Sequence, residues 1–104
     1  MQIQINTGHN VEGNEAFAVW VRGVVESALE RVSEHITRIE VQVTDENSDK
    51  KDGANDMRCV IEARLEGRKP VAVTDQAATI HDAVVAATDK LARLIEHTLD
   101  RIQS

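Results

Sequence analysis

Four kinds of side chain in this sequence could do chemistry, and spacing separates them quickly. Histidine occurs four times, as His9, His35, His81 and His97. None pairs with a cysteine, or with an Asp or Glu at i+3 or i+4, in the repeated set that a metal needs. His81 and Asp82 are adjacent, and adjacent residues on a helix do not face each other. The single cysteine, Cys59, falls on the inward phase of an alternating stretch, so it reads as a small core hydrophobe rather than a nucleophile. Carboxylates crowd the run Asp45–Asp56 (DENSDKKDGAND), with no apolar pocket there to shift their pKa values. The five glycines, Gly8, Gly13, Gly23, Gly53 and Gly67, are scattered, which excludes a glycine-rich phosphate loop. The chain therefore reads as a non-enzyme, with no catalytic residue, metal ligand, cofactor or small-molecule substrate expected.

Cations are the more informative group. With Lys90 at zero on a helical wheel, Arg93, His97 and Arg101 all fall within roughly 60° of it. The apolar stripe of the same helix is centred roughly 90° away, and Asp82, Asp89, Glu96 and Asp100 line the other flank. A segregated row of this length, at ~1.5 Å per residue, can follow several phosphates of a nucleic-acid backbone. The competing reading is a solvated helix whose acids and bases pair across neighbouring turns, Asp89 with Arg93 for example. Spacing alone leaves both open.

The elements that position these residues follow from hydrophobic period. Met1–Asn6 alternates, with Ile3 and Ile5 on one side and Gln2, Gln4 and Asn6 on the other, as a strand with one wet face does. A turn is expected at Thr7-Gly8-His9-Asn10. Asn14 is placed to cap a helix whose first turn contains Glu15 and which is expected to run to about Ile36. Phe17, Val21, Val24, Val25, Ala28 and Val32 share one sector of it, opposite Glu15, Glu26, Glu30 and Glu34. Ile39–Thr44 alternates as a second strand, and Asp45–Asp56 reads as a mobile hairpin loop. Met57 to Glu66 alternates as a third strand; Gly67-Arg68-Lys69-Pro70 makes a turn, and Val71–Val73 a short fourth strand. Asp75 or Thr79 is then expected to cap a last helix that continues almost to Ser104.

One wet sheet face and two amphipathic helices fit an α+β fold of order β-α-β-β-β-α. Two helices pack on one face of a four-stranded, mainly antiparallel sheet. At 104 residues the chain reads as a single domain spanning 1–104. Hydrophobic residues make up 41 % and charged residues 29 %, which excludes a disordered chain, and with only Trp20 and Phe17 aromatic the core must be aliphatic. One cysteine, an N-terminus without a basic or apolar leader pattern, and no apolar run near the ~20 residues of a membrane span point to the cytoplasm and away from membranes. The net charge of −6 argues against indiscriminate nucleic-acid binding and confines any such contact to a local patch.

Two segments resemble a known family. Ala78-Thr79-Ile80-His81-Asp82-Ala83 followed by Thr88-Asp89-Lys90-Leu91-Ala92-Arg93 is similar to the closing helix of the ribosome hibernation promoting factor and ribosome-associated inhibitor family, also called the sigma-54 modulation protein family. Met1–Ile5 and Thr7-Gly8-His9-Asn10-Val11-Glu12 look like that family's opening strand and turn. The resemblance implies the same fold and binding to the small ribosomal subunit, rRNA and ribosomal proteins included, in the channel of messenger and transfer RNA. Translation is blocked there, and idle ribosomes are stored under stress. Carried over, Lys90 and Arg93 match basic positions of the family's last helix, and His97 and Arg101 continue that face. Arg22 on the first helix and Arg68 and Lys69 at the turn add secondary contacts. This sequence departs from the pattern in the glutamates of its first helix, in Glu96, Thr98, Leu99 and Asp100 where lysines are usual, and in ending at Ser104, short of the family's C-terminal dimerisation domain; a monomer or weak dimer is expected. The other functional reading is a diverged protein-interaction module of the same fold, binding a basic protein through Glu26, Glu30, Glu34 and the acidic loop.

Overall fold

The computed structural model describes residues 1–8, 11, 13–45 and 56–103, with side chains as far as residue 100. Most of the Asp45–Asp56 run, His9 and Asn10 of the first turn, and the Arg101 side chain lie outside the described residues. The element order is β1 (Gln2–Thr7), α1 (Glu15–Ala28), a 3-10 turn (Glu30–His35), β2 (Ile36–Asp45), β3 (Met57–Leu65), β4 (Val71–Ala77) and α2 (Ile80–Gln103). The α+β order β-α-β-β-β-α is the one that the periodicity predicts.

The strands lie in the order β1-β2-β3-β4. β1 runs parallel to β2, as a strand joined to its neighbour through a helix can, whereas β2–β3 and β3–β4 are antiparallel. Pleating sends Ile39, Val41, Val43, Cys59, Ile61, Ala63 and Val73 to one face, where all are buried. From the helices, Val21, Val25, Ala83, Val84, Ala87, Leu91 and Ile95 close over them in one cluster. Residues of the opposite phase, Gln2, Gln4, Asn6, Gln42, Arg64 and Thr74 among them, remain in water. Both helices thus cover the same face, with α2 over β3 and β4 and α1 towards β1.

Helix α1 starts where its cap predicts: the Asn14 side chain accepts a hydrogen bond from the Phe17 N–H at 2.8 Å. It ends earlier than the sequence suggests. After Ala28 the chain tightens into the 3-10 turn, where the Val32 N–H donates to the Leu29 carbonyl at 3.1 Å and the Ser33 hydroxyl to that of Glu30. Shorter bonds of this type satisfy the last carbonyls while turning the chain towards β2. Leu29, Val32 and Ile36 all reach the core across that turn, which is why a helical period persists beyond the helix.

Strand β4 is longer than Val71–Val73. The nine residues of β3 offer it partners from Ala63 opposite Val71 to Met57 opposite Ala77, and this pairing outweighs the weak strand propensity of Asp75. Asp75 therefore belongs to the strand, and the cap of α2 is Thr79, whose hydroxyl accepts from the Asp82 N–H at 3.1 Å. At the β3–β4 turn Gly67 has φ +72, a conformation that favours glycine, and it leads into Arg68, Lys69 and Pro70.

The two helices run in the same direction. At their starts Trp20 and His81 pack with ring centroids 4.4 Å apart, and Phe17 lies 6.0 Å from His81. At the other end Arg31, Glu34 and His35 face Glu96, Leu99 and Asp100 across a polar cleft of about 280 Å³.

Candidate nucleic-acid interface

Lys90, Arg93 and His97 are all exposed on α2. Leu91, Ala92 and Ile95, interleaved with them, are buried, so the 3.6-residue period fixes which flank the cations occupy. That flank overlooks the β4 edge. The Lys90 ammonium donates to the Thr74 carbonyl at 3.1 Å, which holds its stem across the strand. This bond is invisible in the sequence, because it joins residues sixteen apart.

Arg68 and Lys69 sit at the end of the molecule towards which the row points. α2 runs antiparallel to β4, and Lys90 is level with Thr74. Seven further helical residues advance ~10 Å, about the rise of the three strand residues from Thr74 back to Val71. His97 is thus level with the start of β4, and the backbone of Arg101 approaches the level of the Arg68–Lys69 turn. Arg22 is set apart. It is 200° around α1 from Trp20, the residue that touches α2, so it points to the flank turned away from that helix.

The ion pairs of the described residues include Glu34–His35 at 3.6 Å and Arg38–Glu40 at 2.9 Å. Asp89 and Arg93 form none, so the cross-turn neutralisation that would have dissolved the row is not made there. The acids of α2 flank the cations without meeting them. Exposed guanidinium and ammonium groups in this state attract phosphate chiefly by charge, with a marked dependence on salt.

The outer sheet face has its own arginines. Arg38 stands opposite Arg64 across β2–β3, and Glu40 opposite Glu62. Arg38 is bonded to the Gln4 side chain and paired with Glu40, so the charge of that arginine is neutralised locally. Cys59 lies on the inner face with no exposed surface. Burial, with Asp75 beside it adding repulsion, pushes its thiol from 9.0 up to about 12, which leaves it protonated and unreactive near neutrality. Among the described residues no group of three or more His, Cys, Asp or Glu side chains is arranged to hold a metal ion. No described helix is long and apolar enough to cross a membrane.

Two solved structures share this fold. The N-terminal domain of Thermus thermophilus Protein Y superposes with a TM-score of 0.66 at 24 % identity, covering 94 % of this chain and 99 % of that one. A ribosomal subunit interface protein from Coxiella burnetii superposes with a TM-score of 0.65 at 17 % identity, covering 96 % and 99 %. Identity at this level speaks for the fold. A comparison with curated protein sequences finds no match. The family model described as Sigma 54 modulation protein / S30EA ribosomal protein matches residues 4–103, and the chain therefore belongs to that family.

Proposed function

We propose that this protein is a cytoplasmic ribosome-associated factor that docks on the small subunit, in the channel of messenger and transfer RNA, and restrains translation while ribosomes are idle. The observation that supports this best is the row of Lys90, Arg93 and His97 along one exposed flank of α2, which meets no acidic partner among the described residues. It lies in a chain of the S30EA ribosomal protein family, and one protein of the same fold is described as a ribosomal subunit interface protein.

Lys90, Arg93 and Arg101 act as backbone contacts, with His97 adding charge when protonated and Arg68 and Lys69 extending the patch at its far end. Such contacts set register and affinity without reading sequence. Arg22, on the remote flank of α1, lies outside this patch. The −6 body keeps the rest of the surface off RNA, so contact is confined to this edge of the molecule.

The test is co-sedimentation with purified small subunits at low salt. Wild-type protein pellets with the subunits, and the Lys90→Glu/Arg93→Glu double variant stays in the supernatant with its circular dichroism unchanged. A double variant that still pellets would remove this flank from the interface. Retention of one dominant non-ribosomal protein from stationary-phase lysate, with rRNA absent, would favour the protein-interaction module instead.

A further inference from the structure

We propose that β1 is a self-pairing edge: two copies of this chain associate by antiparallel β1–β1 pairing about a two-fold axis at Gln4, making one continuous sheet from two. The inference starts from how differently the two sheet edges are treated. An uncovered edge presents unpaired N–H and C=O groups, and proteins blunt it with charge, proline, bulges or a covering element. β4 has Lys90 bonded to the Thr74 carbonyl, Asp75 within it and Pro70 just before it. β1, Gln2-Ile3-Gln4-Ile5-Asn6-Thr7, contains no charge and no proline, and its register with β2 runs without a shift.

Three features of β1 select a second copy as its partner. The first is backbone phase. The Gly8 N–H donates to the Val43 carbonyl at 2.8 Å. Parallel pairing alternates, so Gln2, Gln4 and Asn6 turn their backbone groups to β2 while Ile3, Ile5 and Thr7 turn theirs outward. A two-fold axis at Gln4 sets Ile3 opposite the partner's Ile5, and those outward groups form the hydrogen-bonded pairs. The second is side-chain type: the same register sets apolar against apolar on the helix side, and amide against amide on the open side, where Gln2 meets the partner's Asn6. The third is a gap. Beside β1 lies a cavity of about 370 Å³ lined by Ile5, Thr7, Asn14, Phe17 and Ala18 among others. Met1, 41 % exposed, is brought opposite the partner's Thr7 by that register, at the mouth of this cavity. A flexible methionine suits an irregular gap.

A six-residue edge offers less surface than the roughly 1,200 Å² of a stable interface, so the association is weak and follows concentration. Two bodies of charge −6 repel, and added salt therefore strengthens it. Phosphate binding responds in the opposite sense.

Sedimentation velocity over a wide concentration range, with and without added salt, gives the first reading, and cysteine cross-linking fixes the register. Gln4 is a non-hydrogen-bonded pair with itself, at a Cα separation near 4.5 Å that a disulfide spans. Gln4→Cys is expected to cross-link readily under mild oxidation. Gln2→Cys and Asn6→Cys place like positions ~13 Å apart and should not. Cys59 is buried and does not compete. Gln4→Lys sets two cations face to face and should abolish self-association, as should Gln4→Glu, which keeps an acceptor for Arg38. Wild-type protein monomeric at the highest concentration, or Gln4→Cys linking no faster than Gln2→Cys, overturns the proposal.

Discussion

At the β4 edge an ammonium group lies across the strand and a row of cations continues down α2; at the β1 edge six consecutive residues are neutral. The difference is chemical before it is geometric. A charged edge is kept from pairing with another strand, and the same charge makes it attractive to a polyanion. A neutral edge holds no polyanion, but its backbone groups and alternating isoleucines can meet another strand. One sheet therefore offers two surfaces whose responses to salt are opposite in sign.

The largest expected effect tests the charged side. Reversing Lys90 and Arg93 together should eliminate measurable ribosome binding at low salt. In a milder Lys90→Ala/Arg93→Ala chain, the slope of log affinity against log salt should fall by about two, one for each phosphate that is no longer neutralised. Titration at several salt concentrations reads this directly, and an unchanged slope would exclude both residues from the phosphate backbone.

The next effect concerns what lies beneath the two edges. Leu91, fully buried under β3 and β4, should cost about 2–5 kcal/mol when cut to alanine. Ile3, half-buried under β1, should cost about 1 kcal/mol, because much of its surface never leaves water. Urea unfolding at constant m-value separates the two. Equal losses would mean that β1 is as firmly held as β4, contrary to its exposure.

Two smaller effects sharpen the contrast from the β4 side. The Thr88 hydroxyl on α2 is buried and has no hydrogen-bond partner, so Thr88→Val should raise stability by about 1 kcal/mol in the same urea assay, through removal of an unsatisfied polar group. The thiol of Cys59 should contribute nothing to the pH dependence of stability near neutrality. Its folded value, raised to about 12, lies above the unfolded 9.0. The stability from keeping it protonated is therefore complete below pH 9 and is lost as pH climbs towards 12. Cys59→Ala should flatten that alkaline fall, and thiol reagents at about pH 8, below the ordinary thiol range, should label the native wild-type chain only as fast as it opens.

The element order was legible because period is local: two for Ile3 and Ile5, 3.6 for Val21 and Val25 or Leu91 and Ile95. The places where sequence and structure differ all depend on partners far away in the chain. The helix expected to reach Ile36 stops at Ala28, since the turn towards β2 is made by 3-10 bonds that keep Leu29 and Val32 inward. β4 passes Val73 because β3 has partners to offer it. For the candidate interface, the wheel located Lys90, Arg93 and His97 correctly on an exposed flank, but not the Lys90 bond to Thr74. Nor did it separate Arg22 from that flank, which needs the placement of one helix beside the other.

The junction where the two helices begin has a spectroscopic consequence. Trp20 is the sole tryptophan, and its indole packs against the His81 ring of the neighbouring helix. Any intrinsic emission excited at the red edge therefore comes from one point, a junction of α1 and α2 that a partner at the β4 edge does not need to touch. Loss of helix docking should alter the environment of that single fluorophore, whereas occupancy of the β4 edge should leave it largely silent. The molecule thus contains its own internal reference, by which a failed binding experiment can be told from a failed fold without a label.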